Sequence, residues 1–283
     1  MKKILRIFPR RTSYTPVDDM VIINEPPGLF VPEHDEVHIS CTFTWDMERS
    51  EWLKYQWESY TDKPVLLGGP AYNSPSNDFT PGLYVKKGVV FTSRGCNNRC
   101  PWCCVPRQEG NLVELPIVAG NIIQDNNFLQ CSREHKDKVF EMLRTQKKIK
   151  FTGGLECKLI DDHFIENIKK LSIAQLWLAC DTDSALPATI KAVEMLIKAG
   201  YKRDHIHCYA LSSGEDMERD EKRFRAIYDA GAIPFAQLYR GRDGKSVGRS
   251  YRNKAWRQFI CMWSRPAIIR AHVEKGTSYK DFY

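Results

Sequence analysis

The chain has 283 residues, of which 42% are hydrophobic and 27% are charged, which is enough to bury one large core, or one core plus a small appendage. It has no apolar run of about 18 residues, so we do not expect a membrane-spanning helix. Its first apolar stretch is too short for a signal peptide, so we do not expect an exported protein. We therefore expect a cytoplasmic protein with no membrane partner. The formal net charge of +7 favours anionic partners only weakly.

The first part of the chain, residues 1–80, is predicted to be a small Rossmann-like α/β region. Alternating and helical hydrophobic patterns indicate three strands and one helix. A passage rich in Pro, Ser, Asn and Gly at 72–82 indicates a linker after them. The last three elements form a β-α-β unit of the doubly wound class. The predicted elements are strands at 2–8, 36–44 and 64–69, and a helix that Asp46 caps and that ends near residue 60.

The second part, residues 81–240, alternates short β-rich runs with helical patterns. Six strands joined by crossovers imply a parallel sheet curled as part of a barrel. The predicted fold class is therefore α/β, with a partial (β/α)6 TIM-type barrel after the small Rossmann-like region. The predicted strands are 88–94, 120–125, 148–152, 175–180, 205–211 and 233–239, and the helices are near 132–146, 161–170, 186–199 and 216–230.

Polar or glycine-rich groups follow the first five of these strands. In βα folds the ligand lies at the carboxyl ends of the strands, because loops from several strands converge there. Each group alone also fits an ordinary turn. Five such groups, each directly after a strand, predict that the ligand-binding side chains cluster at one edge of the sheet. They are RGCNNRCPWCC, DNNF, GGLEC, DTDS and SSGED.

The ten cysteines fall into two sets. Six stand alone, mostly in apolar runs, and are interpreted as core thiols. The other four lie at 96–104, where Cys96, Cys100 and Cys103 have the spacing C-x3-C-x2-C. A structural zinc site or a ferredoxin cluster needs four ligands at other spacings, and disulfides are rare in such chains. Three thiolates can instead hold three irons of a [4Fe-4S] cube and leave the fourth iron open. The isolated cysteines are Cys41, Cys131, Cys157, Cys180, Cys208 and Cys261.

The segment Cys96-Asn97-Asn98-Arg99-Cys100-Pro101-Trp102-Cys103 resembles the signature of the radical S-adenosylmethionine (radical SAM) superfamily, C-x3-C-x-aromatic-C in the loop after the first barrel strand. The resemblance covers roughly residues 86–240. It implies that the three cysteines hold the cluster and that the open iron chelates the amino and carboxylate groups of S-adenosylmethionine. Reductive cleavage would then give methionine and a 5′-deoxyadenosyl radical that abstracts hydrogen from a substrate. The resemblance also implies an electron donor such as flavodoxin or ferredoxin.

The resemblance implies further cofactor contacts. Trp102 would pack near the adenine or plug the base of the loop. The family's Gly-Gly-Glu-like segment meets the methionine amine after the second strand, where this chain has Asp125 and Asn126. A closer match in letters follows the third strand, at Gly153, Gly154 and Glu156. We expect Asp125 and Asn126 to meet the amine, because an acceptor after the second strand would be nearest to the cysteine loop, and GGLEC to face the substrate.

The fourth and fifth strands are followed by candidates for the nucleoside part of the cofactor. Asp181 and Asp183 are expected at the ribose hydroxyls, because a carboxylate accepts hydrogen bonds from both. The segment LSSGED is similar to the family's Gly-x-Pro-Gly-Glu turn without its first glycine and its proline. Ser212 and Gly214 would then approach the cofactor closely.

Residues 1–75 resemble a shortened form of the cobalamin-binding domain that precedes the barrel in one branch of the family. The Asp-x-His-x-x-Gly motif that supplies a cobalt ligand is absent, since EHDEVH has the letters without the spacing. Cobalamin can bind without that histidine, but so short a domain leaves little room for a corrin. We therefore do not expect cobalamin.

The end of the chain, residues 241–283, is predicted to be a basic helical extension. Arginine and lysine alternate with Tyr251, Trp256 and Trp263 at 239–270, a composition that can grip unpaired nucleic acid. The two tryptophans are seven residues apart, so they equally fit one helix face packed on the barrel. Modification of tRNA or DNA is thus one alternative function, and a non-catalytic iron-sulfur protein is another. No substrate can be identified from the sequence.

Cys104 and three histidines are not assigned to the cluster or to S-adenosylmethionine. Cys104 follows a cluster ligand directly, so its side chain points away from the cluster, and we expect a core thiol; a thiol that contacts the substrate is the alternative. His163, His205 and His207 fall on helix or strand patterns and are interpreted as structural.

Overall fold

The computed structural model describes residues 2–72, 79–241 and 253–281, and the chain divides into two compact units between Val89 and Val90. Most of the predicted linker, residues 73–78, lies outside the described residues. No described helix is long and apolar enough to cross a membrane.

The first unit is built on a four-stranded parallel sheet with the order β2-β1-β3-β4. This is the doubly wound order of flavodoxin-like folds. Its core joins Leu5, Ile7 and Val37 of the sheet to Leu53 and Trp57 of the helix. β2 was not predicted, because it has only three half-buried residues. The elements are β1 (Ile4–Phe8), β2 (Val21–Ile23), β3 (Glu36–Ser40), α1 (Met47–Glu58) and β4 (Val65–Gly68).

Asp46 lies at the start of α1 as predicted, but its side chain does not cap the helix. The carboxylate is buried and accepts two hydrogen bonds of 2.8 Å from the guanidinium of Arg10. A bidentate, charge-assisted pair is stronger than a single bond to a backbone N–H. The capping prediction was therefore wrong.

The second unit carries a six-stranded sheet whose order, β5-β8-β9-β10-β11-β12, follows the chain. The described pairings from β8 to β12 are parallel. Neighbours in sequence that are neighbours in space, joined by helices, are characteristic of (β/α) barrels. The α/β class and the partial-barrel order are confirmed. The strands are β5 (Val89–Val90), β8 (Ile122–Ile123), β9 (Ile149–Glu156), β10 (Ile173–Ala179), β11 (Ile206–Ser212) and β12 (Ile233–Leu238); β6 (Ser93–Arg94) and β7 (Val113–Glu114) form a separate antiparallel pair.

Helices follow the strands, four of them at the predicted places, while the short first one was not predicted. Those in the body of the unit are α2 (Val105–Gln108), α3 (Arg133–Leu143), α4 (Asp162–Ile168), α5 (Leu186–Lys198) and α6 (Met217–Ala230). Alternate residues of β10 and β11, such as Leu178 and Cys208, are fully buried. Five of the six isolated cysteines are buried as predicted, but Cys261 is exposed.

The C-terminal extension contains two helices, α7 (Lys254–Met262) and α8 (Pro266–Glu274). Trp256 is 8% exposed and Trp263 is fully buried. Trp263 lies against Phe224 of α6 and against His272 of α8. These tryptophans are packing residues, so the prediction that they stack on bases does not fit the structure. Tyr251 lies outside the described residues.

Candidate functional site

The cysteine loop runs from Gly95 to Cys104, between β6 and α2, and backbone bonds hold its shape. Gly95 has φ +75°, and a side chain there would overlap the backbone of Asn111. The N–H of Cys96 donates to the carbonyl of Gly110 at 3.2 Å, and the N–H of Cys103 donates to that of Cys100 at 3.1 Å. These contacts fix the backbone of the loop.

The three signature thiols lie near one another, and all are at least partly buried. Cys96 is 9% exposed, and Cys100 and Cys103 are half-buried. Burial raises the pKa of Cys100, and the nearby charges of Asp181, Cys96 and Glu156 raise it further. Burial likewise raises the pKa of Cys103, with added effects of Cys104, Cys100 and Cys96. The ionised form of such thiols needs a cation beside it.

The described side chains do not form a site for a single metal ion. Zinc bound to three thiolates would place every Sγ about 2.3 Å from one point. Among the described residues, no three His, Cys, Asp or Glu side chains are grouped in that way. A cube puts each thiolate on a different iron, so the three Sγ atoms do not have to converge. All three cysteines are free thiols.

Glu156, at the end of β9, lies beside this loop and is held by three amides. Its Oε2 accepts hydrogen bonds from Asn127 at 2.7 Å, Asn98 at 2.9 Å and Gln130 at 3.1 Å. Burial favours the neutral carboxyl, but these three bonds and the nearby Lys158 outweigh it and lower the pKa of Glu156. A carboxylate is thus kept ionised next to the cysteines. Its Oε1 accepts none of these three bonds and lies 3.7 Å from the ammonium of Lys158.

An irregularity in β9 explains why Glu156 reaches the loop. The register of β9 against β10 shifts between Phe151 and Leu155, and Gly154 between them has φ +96°. A Cβ on Gly153 would overlap the backbone oxygen of Asp125, so only glycine allows this approach. Bulges of this kind change where a side chain points. Gly153 and Gly154 are therefore part of the strand, where the sequence predicted a loop.

Asp125 does not lie where its expected role requires. It is 2% exposed, and its carboxylate accepts bonds from the N–H of Thr92 at 2.6 Å and from the hydroxyl of Ser93 at 2.8 Å. The hydroxyl of Thr92 donates to it as well. Burial raises its pKa although these bonds oppose the rise. Asp125 ties β8 to the segment before the cysteine loop, and its oxygens are occupied by this chain's own donors.

Asp125→Ala is accordingly expected to act on stability. The three donors from Thr92 and Ser93 would lose their acceptor in a buried place, at about 1–3 kcal/mol for each group left unsatisfied. Urea unfolding followed by circular dichroism would measure the loss. Glu141→Ala is the control, because the exposed pair of Glu141 with Arg144 contributes little. Equal midpoints for the two variants would contradict this role.

Asn126 also supports the loop. Its amide donates to Glu109 Oε2 at 2.6 Å, and the same oxygen accepts from the N–H of Gly95 at 3.1 Å. Asn126 is thus linked to the first residue of the cysteine loop through Glu109. Its neighbour Asn127, which was not predicted, is one of the three amides that donate to Glu156.

Asp181 lies on the same edge, after β10. The indole N–H of Trp102 donates to Asp181 Oδ2 at 3.2 Å. Burial raises the pKa of Asp181, while the bond from Trp102 and the charge of Arg223 oppose this. Asp183 is engaged differently, because Arg219 and Arg223 both pair with it. Of the two predicted ribose contacts, Asp181 is the one beside the cysteine loop.

The loop after β11 is tightly folded. Ser212 is fully buried, and its hydroxyl accepts from the N–H of Gly214 at 3.1 Å, while Gly214 has φ +80°. A cavity of about 420 Å³ opens nearby and is lined by Asp183, Asp216, Arg219 and Arg223 among others. It lies between the starts of α5 and α6.

Cys104 is exposed, in contrast to the expected core thiol. The chain turns into α2 directly after it, so that the Cys104 side chain is directed to solvent.

One buried atom at the site has no partner. Asn127 is 4% exposed, and its Oδ1 accepts no hydrogen bond within the described part of the chain. Its Nδ2 donates to Glu156, so the orphaned atom is an acceptor beside a carboxylate. Buried acceptors without donors are rare in proteins.

Comparisons with known proteins show the same fold. A structure of the radical SAM methyltransferase TsrM from Kitasatospora setae, with cobalamin and a [4Fe-4S] cluster bound, has a TM-score of 0.59 and 10% identity. The match covers 84% of this chain and 75% of that one. TsrM with tryptophan substrate and a SAM analogue bound gives a TM-score of 0.58 over 84% and 73% of the two chains, also at 10% identity.

Local sequence matches lie in one group of curated proteins. The ribosomal protein uS12 methylthiotransferase RimO of Beijerinckia indica is 34% identical over 87 residues, and that of Delftia acidovorans is 30% identical over 69. The matches cover 24% and 21% of this chain but only 19% and 14% of those proteins. No protein-family model matches the chain. The local sequence matches and the structural matches together support the resemblance to the radical SAM superfamily, and the fold is similar to that of the methyltransferase TsrM.

Proposed function

We propose that this chain, which has the radical SAM fold, holds a [4Fe-4S] cluster on Cys96, Cys100 and Cys103 and cleaves S-adenosylmethionine reductively. The observation that most strongly supports this proposal is that three free thiols on one loop lie beside an ionised carboxylate at the carboxyl edge of a parallel sheet. When bound, the cluster supplies one electron to the sulfonium, which yields methionine and a 5′-deoxyadenosyl radical for hydrogen abstraction. An electron donor such as flavodoxin or ferredoxin would reduce it.

Glu156 is proposed to bind the ammonium of the methionine part, in place of Asp125. Its carboxylate is ionised and fixed in direction by Asn98, Asn127 and Gln130. The unpartnered Oδ1 of Asn127 provides a second acceptor for the same group. Together they would orient the amine next to the cysteine loop.

Asp181 is proposed to accept the ribose hydroxyls. Trp102 fixes Oδ2 by its indole N–H and so sets the direction of the second oxygen. This contact also places the indole ring at the same edge, where it can cover the adenine. Ser212 and Gly214 keep their proposed place near the nucleoside, since the tight turn between them brings backbone close to the edge.

Nucleic-acid modification and cobalamin binding have less support. Modification of tRNA or DNA keeps only the basic charge of the tail as support, because the tail's described tryptophans are buried. Cobalamin is bound in TsrM; we propose that this chain works without it, because the short domain of residues 1–75 leaves little room for a corrin. Co-elution of added hydroxocobalamin with the protein would contradict that proposal.

The test is cleavage of S-adenosylmethionine by the whole chain, reconstituted with iron and sulfide and reduced with dithionite. We expect 5′-deoxyadenosine, identified by liquid chromatography and mass spectrometry, and none without the reductant. A protein whose cluster is reduced but gives no 5′-deoxyadenosine would instead be an electron-transfer or structural iron-sulfur protein.

A further inference from the structure

Asn127 lies between the proposed cluster and the proposed ligand. Its Nδ2 is 2.7 Å from Glu156 Oε2 and 3.8 Å from the Sγ of Cys96. The orientation of this amide is fixed, because an ionised carboxylate only accepts and must face the NH₂ group. The two N–H bonds of one amide thus serve a carboxylate and a cluster cysteine.

We propose that Asn127 is a positioning residue that raises the reduction potential of the cluster by donating a hydrogen bond to Cys96, while it holds Glu156. The inference rests on the proposed function, since it requires a cluster on that cysteine. It concerns how readily the electron enters, which the proposed function leaves open.

The physical reason is the change of charge on reduction. One electron enters the cluster, no proton accompanies it at this site, and part of the added charge falls on the cysteine sulfurs. An N–H donor stabilises the more negative, reduced form more strongly, so that the potential rises. Cys96 and Asn127 are both buried, and a low local dielectric strengthens such a bond.

The other amide beside the same sulfur does not share this role. Gln130 accepts from the N–H of Asn97 at 2.9 Å and donates to Glu156 at 3.1 Å, so both of its ends are fixed. Its Oε1, an acceptor, is the atom that lies 3.6 Å from the Sγ of Cys96. Of the two amides next to this sulfur, Asn127 is the one that presents a donor.

The oxygen of the Asn127 amide connects this effect on the cluster to ligand binding. Asn127 Oδ1 is buried without a partner, beside the carboxylate proposed to hold the ammonium. An ammonium on Oδ1 would polarise the amide and strengthen its N–H bond to sulfur, because hydrogen bonds in a chain reinforce each other. Ligand binding would therefore make reduction easier.

The experiment is a potentiometric titration of the reconstituted whole chain, followed by the electron paramagnetic resonance signal of the reduced cluster. For Asn127→Ala we expect about a tenfold loss in the equilibrium constant for reduction, which is about 59 mV more negative for one electron. Asn127→Ser, whose hydroxyl is too short to reach Cys96, should shift the same way. Asn98→Ala is the matched control, because Asn98 bonds to Glu156 at 2.9 Å without contacting Cys96.

The outcomes separate the two proposals. Failure of the wild-type chain to assemble a cluster would overturn the proposed function itself. A loaded Asn127→Ala protein with the wild-type potential would overturn only the inference, as would an equal shift in Asn98→Ala. If both Asn127 variants lose the cluster while Asn98→Ala keeps it, Asn127 has a purely structural role, and the inference also fails.

Discussion

Replacement of Cys96, Cys100 or Cys103 by alanine is expected to abolish both the brown absorbance of the reconstituted protein and the cleavage of S-adenosylmethionine. Each of these thiolates would hold a different iron, so none of the others can substitute for it. The loop itself should remain folded, because backbone bonds such as Cys96 to Gly110 do not involve the sulfur. Iron and sulfide content and the visible spectrum measure the effect.

Cys104→Ala is the matched control for this series. It removes a thiol from the same loop, but an exposed one. We expect iron content, spectrum and cleavage close to those of the wild type. A protein lacking all three signature cysteines that still showed the wild-type spectrum would refute the assignment of the cluster.

The fold follows closely from local sequence patterns. Strands such as β10 and β11 alternate buried and less buried residues, and helices such as α5 and α6 carry apolar residues at helical spacing, so both could be found without tertiary information. β2 was missed because three half-buried residues leave little pattern. The capping error at Asp46 arose because its partner, Arg10, is 36 residues away in the chain.

The site was predictable where one loop carries the chemistry and not where two strands meet. The cysteine spacing is local, so it identified the three thiols. The preference for Asp125 over Glu156 depends on an acceptor after the second strand lying nearest to the cysteine loop, with the third strand ending before its two glycines. The bulge at Gly153 and Gly154 instead carries Glu156 to the cysteine loop, while Asp125 is buried against Thr92 and Ser93. The pair Gly153-Gly154 before a glutamate was the signal available in the sequence.

Exposure was the least predictable property of single residues. Cys261 and Cys104 are exposed although both stand in apolar surroundings in the sequence. Trp256 and Trp263 show the opposite, since basic neighbours suggested a nucleic-acid surface while seven-residue spacing placed both on the packed face of the tail. In each case the exposure of the side chain depends on which distant element packs against it, and a short stretch of sequence does not contain that information.

Glu156→Gln is expected to weaken S-adenosylmethionine binding while the cluster remains intact. The substitution keeps the shape of the side chain but removes the charge proposed to meet an ammonium. Such a charge-assisted contact contributes about 1.5–3 kcal/mol. The loss corresponds to about 10- to 150-fold in Kd. Isothermal titration of the oxidised, reconstituted protein measures it without any turnover.

The expected loss depends on charge at this one place, and three comparisons test that. Glu156→Asp keeps the charge and should recover part of the affinity. Glu166→Gln makes the same chemical change on an exposed face of α4 and should leave the affinity unchanged. Equal Kd values for Glu156→Gln and the wild type, with equal iron content, would remove Glu156 from the ammonium site. The unpartnered Oδ1 of Asn127 would then be the remaining acceptor for the ammonium.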